Sequence, residues 1–343
     1  MKILSIIIPA YNCENLIDKC ITSFLPASCF EKIEIIVVND GSVDGTADVV
    51  LRYCETYPNN IKLISQENKG HGGALNTGCA VATGKYLKVI DADDWVVTEN
   101  LEAFINYLEI LDSDVILTHH FTTDISSGEI KRWKSYPNRY GISYTFEEIM
   151  SEWKNFDRSL TFHGITYSTE FYKNNCIRLS ERVFYEDHEF ATIPCCFAKS
   201  ITPLDLFIYN YRIGDVTQSV SKENQLKRVS HTEAVIERLI KEFSNILDLS
   251  DSAKNFYSMK VQGVLLSYLT TVLLVEPNKS NGRKLAKKMM DRIKKDLPTT
   301  YSLSAKQYTA FKFMNRLHIG DDFFKAFLHS KIYNKLRSNH DFN

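Results

Sequence analysis

Lys85-Tyr86-Leu87-Lys88-Val89-Ile90-Asp91-Ala92-Asp93-Asp94-Trp95 sets an apolar run directly against three carboxylates. Residues 86–90 have the aliphatic and aromatic content of a short buried strand, and the acids follow where such a strand leaves its sheet. Ligands of open α/β sheets bind outside the carboxyl ends of the strands, which places Asp91, Asp93 and Asp94 at a crevice. Three acids this close repel one another unless a cation or donor groups lie between them. Hard oxygen ligands suit Mg²⁺ or Mn²⁺, ions that take few carboxylates and leave other positions to water and substrate phosphates. An acidic loop capping a following helix, 99–111, explains the same residues without an ion, because Asp-x-Asp tripeptides recur by chance.

Outward from this stretch, residues 1–118 alternate between strand and helix patterns. Residues 4–8, 33–38, 61–65, 86–90 and 115–117 have strand character, and 14–24, 46–53, 73–82 and 99–111 have helical spacing. Such alternation predicts an α/β fold, a doubly wound and mostly parallel sheet with helices on both faces. Three loops fall at successive strand ends. Pro9-Ala10-Tyr11-Asn12 offers an aromatic face on which a base can stack. Asn39-Asp40-Gly41-Ser42-Val43-Asp44-Gly45-Thr46 permits a tight turn, and Asp40 would point into the crevice. Asn68-Lys69-Gly70-His71-Gly72-Gly73-Ala74-Leu75-Asn76 is a glycine-rich entry to a helix, able to approach phosphate through backbone N–H groups.

Ser-Ile-Ile-Ile-Pro-Ala-Tyr-Asn from Ser5, Val-Val-Asn-Asp-Gly-Ser-Val-Asp-Gly-Thr from Val37, Asn-Lys-Gly-His-Gly-Gly-Ala-Leu-Asn-Thr-Gly from Asn68 and Asp-Ala-Asp-Asp-Trp from Asp91 together resemble the family-2 glycosyltransferases of GT-A fold. The resemblance implies a metal-dependent, inverting, non-processive transferase that uses a nucleoside-diphosphate sugar, most often a UDP-sugar. By that likeness Tyr11 and Asp40 hold the nucleobase, Asp91 the ribose or metal region, and Asp93 the Mn²⁺ or Mg²⁺ that bridges the diphosphate. Pro9, Lys69, Gly70, Ala92 and Arg212 complete the nucleotide-sugar site. Leu75 stands where the family commonly has Arg, so Lys69, His71 or Arg212 is expected to compensate at the phosphates. Neither the Gln-x-x-Arg-Trp motif nor the membrane helices of processive polysaccharide synthases occur.

Residues 119–222 mix strand and helix signals and would cover the donor and shape the acceptor site. Thr145-Phe146-Glu147-Glu148 has capping-box spacing and should open a helix that runs to Trp153. Arg182-Val183-Phe184-Tyr185-Glu186-Asp187-His188-Glu189-Phe190 places three acids and a histidine among apolar and aromatic flanks. Inverting sugar transfer needs a base for the acceptor hydroxyl, and a carboxylate among aromatic groups is suited because partial desolvation makes it a better proton acceptor. The family resemblance maps that base onto Asp187, with Glu186 and Glu189 as competitors. Acids favoured by a helix N-terminus explain the run without catalysis. His163 and His188 read as polar groups, with His188 able to line the site. Tyr209-Asn210-Tyr211-Arg212 followed by Ser resembles the segment that closes over the diphosphate in similar proteins, with Arg212 as a fork of phosphate donors. Its plain alternative is a surface ion pair.

Residues 223–343 read as helices over 223–246, 253–275, 283–295, 305–317 and 322–336, so the chain divides as a transferase domain, 1–222, and a helical C-terminal region. The most apolar stretch, 261–275, falls short of the roughly 20 residues that span a bilayer, which predicts no transmembrane helix. Leu285, Met289, Ile293 and Leu297 form one stripe on a helix otherwise rich in lysine. Such a helix can lie on an anionic membrane surface, as a polyprenyl-linked acceptor would require, or dock on a neighbour.

The chain has 343 residues, is 44% hydrophobic and 24% charged, and carries a formal net charge of −1, which fits a globular protein and gives no reason to expect nucleic acid. Eight cysteines without Cys-x-x-Cys spacing fit a reduced, cytoplasmic compartment, at the inner face of a membrane if the acceptor is lipid-linked. The leading expectation is a glycosyltransferase moving one sugar from a nucleotide-sugar donor to a glycan or polyprenyl-linked acceptor in cell-envelope polysaccharide biosynthesis. A Mg-dependent phosphoryl or nucleotidyl transferase and a non-catalytic nucleotide-sugar-binding protein are the alternatives.

Overall fold

The computed structural model describes residues 2–175, 178–214 and 222–320. In chain order its elements begin β1 (Leu4–Ala10), α1 (Ile17–Thr22), β2 (Ile33–Asp40), α2 (Thr46–Thr56), β3 (Ile61–Gln66), α3 (Gly70–Val81), β4 (Tyr86–Val89), β5 (Trp95–Val96) and α4 (Leu101–Ile110). They continue with β6 (Val115–Asp124), β7 (Ile130–Trp133), α5 (Phe146–Ser151), α6 (Trp153–Phe156), β8 (Ile165–Ser168), α7 (Thr169–Asn175), α8 (Asp187–Phe190) and β9 (Ile201–Ile213). Compactness divides the chain into two units, Met1–Gln218 with Glu242–Tyr257, and Ser219–Lys241 with Ser258–Asn343. Residues 242–257 thus group with the first unit, a discontinuity that a linear boundary at 222 does not contain.

In the first unit one sheet runs β3-β2-β1-β4-β8-β6-β9-β5, with β7 paired to β6. β1 and β2 are buried from end to end, as aliphatic strands must be when both faces of a parallel sheet are covered. The expected alternation holds through β4: β1, β2, β3 and β4 pair in parallel. Beyond β4 the sheet is mixed: β6 and β9 pair in parallel, while other pairings are antiparallel. β8 inserts between β4 and β6, antiparallel to both, and β5 pairs antiparallel with β9. The short run 165–168, Ile-Thr-Tyr-Ser, carries no sign of which strands it will join, because pairing partners are chosen by packing. The capping box forms, with Thr145 N donating to Glu148 Oε2 at 2.8 Å, but the helix it opens stops at Ser151 and resumes as α6.

Lys88 lies on β4 with no exposed surface, and its Nζ donates to the backbone oxygens of His163 (2.8 Å) and Ile165 (3.1 Å). Burial pulls its ammonium down from 10.5 to about 7. Between those values the unfolded chain binds the proton and the folded one does not, so stability rises with pH across the window and the full penalty is present below it. Urea unfolding is expected to show a midpoint that climbs from about pH 7 towards pH 10, and Lys88→Met should flatten that climb. An equal slope in the variant would show that another group carries it.

The helices after β9 are α9 (Lys222–Lys227), α10 (Val229–Phe243), α11 (Asp251–Thr270) continued by a π-helical turn Thr271–Val275, α12 (Lys279–Asp296) and α13 (Pro298–Arg316). The loop expected at 215–221 and the helix expected at 322–336 lie outside the described residues. The apolar run at 261–275 proves to be part of a helix spanning Asp251–Val275, which by length and composition alone could cross a membrane; 56% of its most apolar window is buried within the protein, as in a core helix. On α12, Met289 and Ile293 are buried, as is Leu297 just past its end. Lysine and arginine occupy the outer face and pair with acids, Lys288 with Glu233 at 3.0 Å and Arg292 with Glu237 at 3.3 Å. Leu285, the fourth member of the stripe, is partly buried, so most of the apolar face is taken up by packing, in line with the docked alternative for this helix.

Candidate functional site

Four loops converge at the carboxyl edge of β1, β2, β3 and β4. The first two are laced together. Asn12, in the left-handed region at φ 48°, accepts from Val43 N (2.9 Å) and its own N–H donates to Ser42 Oγ (3.0 Å). Tyr11 between them is 54% exposed, an aromatic face open to a ligand. Pro9 is buried within β1, opposite Val38, and Ala92 is buried as well, so only the backbone of either could meet a nucleotide. Asp40 is buried too. Its Oδ1 accepts from Gln66 Nε2 (2.7 Å) and Lys69 N (2.9 Å), which ties the second loop to the third.

The glycines of the third loop answer to the protein's own chain. Gly70 has φ +78°, and a Cβ there would lie 2.9 Å from Arg182 N; one on Gly72 would lie 2.2 Å from Ser180 O. Segment 180–186 is thus laid across the start of α3, with Arg182 N donating to Lys69 O at 2.6 Å. The expectation of a phosphate cradle at this helix start had no means of seeing that segment. Leu75 is buried in the core.

His71, from the same turn, reaches two carboxylates. Its Nε2–H donates to Asp91 Oδ1 at 2.9 Å and its Nδ1–H to Glu186 Oε1 at 2.5 Å. Burial alone would lower the ring's pKa, but Glu186 and Asp91 outweigh it and hold it well above the ordinary range. In return, and against its own burial, the Asp91 carboxyl is held below its usual range by His71. His71 is therefore spoken for and does not stand in for the missing Arg at position 75.

The three acids of the fourth loop have oxygens within 4.8 Å of one another, but they are not equivalent. Asp94 is buried, with Tyr209 Oη donating to its Oδ2 (2.5 Å) and Arg212 N to its Oδ1 (2.7 Å). Burial first, then Asp91 and Asp93, push its carboxyl well above the usual range. Asp94 thus fastens β9 to the acidic loop, with a hydrogen bond on each of its oxygens. Asp93 is the most exposed of the three, 34% of its side chain, and Arg212 Nη1 stands 3.9 Å from its Oδ2. Asp93 and the second oxygen of Asp91 fit a Mg²⁺ or Mn²⁺ site of one or two carboxylates. Removing the Tyr209 hydroxyl would leave a buried carboxylate short of a donor, so Tyr209→Phe should lower unfolding stability by about 1–3 kcal/mol. A denaturant midpoint matching the unaltered chain would contradict this.

Asp187 opens α8 and is half-buried. Its competitors are occupied: Glu186 is 2% exposed and bonded to His71, and Glu189, fully buried, accepts from Ser180 N at 2.9 Å. Asp187 and Asp91 both act on the His163 ring, which burial nonetheless pulls down to about 4. His163 in turn stacks on Tyr211, ring centroids 4.5 Å apart. Two residues just before Asp187, Arg182 (φ 59°) and Tyr185 (φ 74°), occupy left-handed backbone, a strain of about 1–3 kcal/mol each that only the surrounding contacts maintain. The His71 bridge was hidden from sequence reasoning. A histidine amid glycines at a helix start is a visible signal, but its partners are not.

A mixed α/β sheet with an acidic loop at the carboxyl edge of its parallel strands, and a further acid on a covering segment, has the make-up of a ligand-binding crevice. Residues 5–172 match the family model described as Glycosyl transferase family 2. Those residues form a glycosyltransferase family 2 domain. It is similar to the glycosyltransferase GlyG of Streptococcus pneumoniae, 28% identical over 161 residues, which are 45% of this chain and 52% of GlyG. It is also similar to the poly(ribitol-phosphate) beta-glucosyltransferase of Bacillus spizizenii, 36% identical over 119 residues, 34% of this chain and 19% of that protein. The chain thus aligns with about half or less of these relatives. The crystal structure of S. aureus TarS 1–349 superposes with a TM-score of 0.65 at 20% identity, covering 92% of this chain and 89% of that one, and shows the shared GT-A fold. A TarS complex with UDP-GlcNAc superposes at 0.54, with 19% identity and 93% of each chain covered.

Proposed function

We propose that this chain moves a single sugar, with inversion, from a UDP-sugar to a glycan or lipid-linked acceptor of the cell envelope, with Asp187 as general base. The carrying observation is that Asp187 is the half-exposed acid of its run, while Glu186 and Glu189 are each buried and bonded to other groups. UDP-GlcNAc in the TarS complex and the poly(ribitol-phosphate) acceptor in the Bacillus enzyme's name support the donor and acceptor classes.

In this reading Tyr11 stacks on the base and Asp40 accepts from it through Oδ2, since Oδ1 is engaged. Asp91 meets the ribose. Asp93 holds a divalent cation, which when bound supplies positive charge against the diphosphate. Lys69 and the Gly70 backbone lie at the phosphate side of the third loop, and Arg212 faces the leaving diphosphate with its fork of donors. Asp187 takes the acceptor hydroxyl proton as that oxygen attacks the anomeric carbon, and the bond to the diphosphate breaks on the opposite side. A reduced cytoplasmic setting accords with the free thiols of all seven described cysteines. Any contact with a membrane carrying the acceptor is electrostatic, through exposed lysines of α12.

A panel of nucleotide sugars, each with and without Mn²⁺ or Mg²⁺, tests the reading through donor hydrolysis and transfer. Cation-dependent turnover of one UDP-sugar is expected. Tight UDP binding undiminished by a chelator, or phosphate release without any sugar donor, would overturn it.

A further inference from the structure

The His71 ring joins two parts of the chain 115 residues apart. Ionised carboxylates only accept hydrogen bonds, so with both bonds made each ring nitrogen must donate, and the rigid imidazole becomes a two-ended strut. One end rests on Asp91, at the head of the acidic loop. The other rests on Glu186, the residue before Asp187. Resting on the proposed role of Asp187, we infer that His71 is a positioning residue whose bridge from Asp91 to Glu186 sets where the base stands relative to the donor sugar.

Several features make this bridge specific to the base. The far end of α8 is held independently, by Tyr167 Oη donating to Phe190 O at 2.7 Å, and Glu189 is anchored through Ser180 N at 2.9 Å. The near end, where Asp187 sits, follows the left-handed residues Arg182 and Tyr185, a backbone that does not hold itself. Gly70 and Gly72 let segment 180–186 come close enough for Glu186 to reach the ring. Loss of His71 therefore loosens the start of α8 while its body stays docked. Because the same strut touches Asp91, donor-side geometry and the base are set by one group.

The full chain carrying His71→Ala, His71→Asn, Glu186→Gln or His71→Asn with Glu186→Gln tests this. Transfer kcat should fall about 10- to 100-fold in each single variant, the range for groups that orient a ligand-bearing residue, with UDP affinity by calorimetry changed far less. The double variant should lose no more than the worse single one, and added imidazole should restore part of the His71→Ala activity. Amide exchange should quicken at 184–188 and not in the sheet. Unchanged kcat, losses that multiply in the double variant, or a defect confined to donor affinity would overturn the inference. Should the His71 variants fail to fold, Glu186→Gln carries the same kcat and exchange tests alone. An Asp187→Asn control separates the two ideas: if it retains transfer, the base assignment fails, whereas loss there beside normal His71→Ala activity fails the strut only.

Discussion

Asp187→Asn is expected to lower the transfer rate about a thousandfold, within the range a positioned general base contributes, while UDP still binds. The amide keeps the shape and volume of the carboxylate but cannot take the acceptor proton. Among the described residues its neighbours in the run are otherwise engaged. Glu186 is committed to His71 and Glu189 to Ser180 N, both out of solvent. His163 is held by ring stacking on Tyr211. Steady-state kinetics on the active UDP-sugar, beside calorimetry with UDP, decides the matter. A variant within tenfold of the unaltered enzyme, or one that also loses UDP, would move the base elsewhere.

Asp93→Asn should instead strike at the donor. In the presence of Mn²⁺ or Mg²⁺, UDP affinity should fall by at least the roughly 100-fold that loss of an outer-shell partner alone costs a metal site. Without added cation the unaltered chain and the variant should bind UDP alike. The reason lies in the division of labour among the three acids. Each oxygen of Asp94 carries a hydrogen bond, from Tyr209 or Arg212 N, and one oxygen of Asp91 is bonded to His71, whereas Asp93 is the most exposed of the three. Titrating UDP with and without a chelator gives the answer. An Asp93→Asn chain that keeps its cation-dependent affinity would place the ion on other ligands.

Much of the first unit was legible before any coordinate. The aliphatic runs of β1 and β2, fully buried, and the turn residues that follow them announce a parallel sheet, because both faces of such strands must be covered. The run ending at Ile90 and the acids behind it placed the crevice. What stayed unreadable was partnership. β8, Ile-Thr-Tyr-Ser, is too short a pattern to name its partners, and it inserts antiparallel between β4 and β6. The glycines of 70–73 looked like a phosphate cradle, and two of them also make room for segment 180–186. The lysine-rich α12 reads as amphipathic, and most of its apolar stripe is taken up by packing, which periodicity alone does not reveal.

By itself, then, the sequence determined the strand and helix alternation, the edge at which chemistry collects, and the residue types present there. Those follow from hydrophobic periodicity and turn stereochemistry, which act between residues close along the chain. Three-dimensional packing alone buries Asp94 as a fastener while Asp93 stays the most exposed of the three, and ties Glu186 to His71 while leaving Asp187 half-exposed. Such roles depend on which side chains packing brings within 3 Å or so of one another, and a hydrogen bond of that reach carries no trace along the intervening chain.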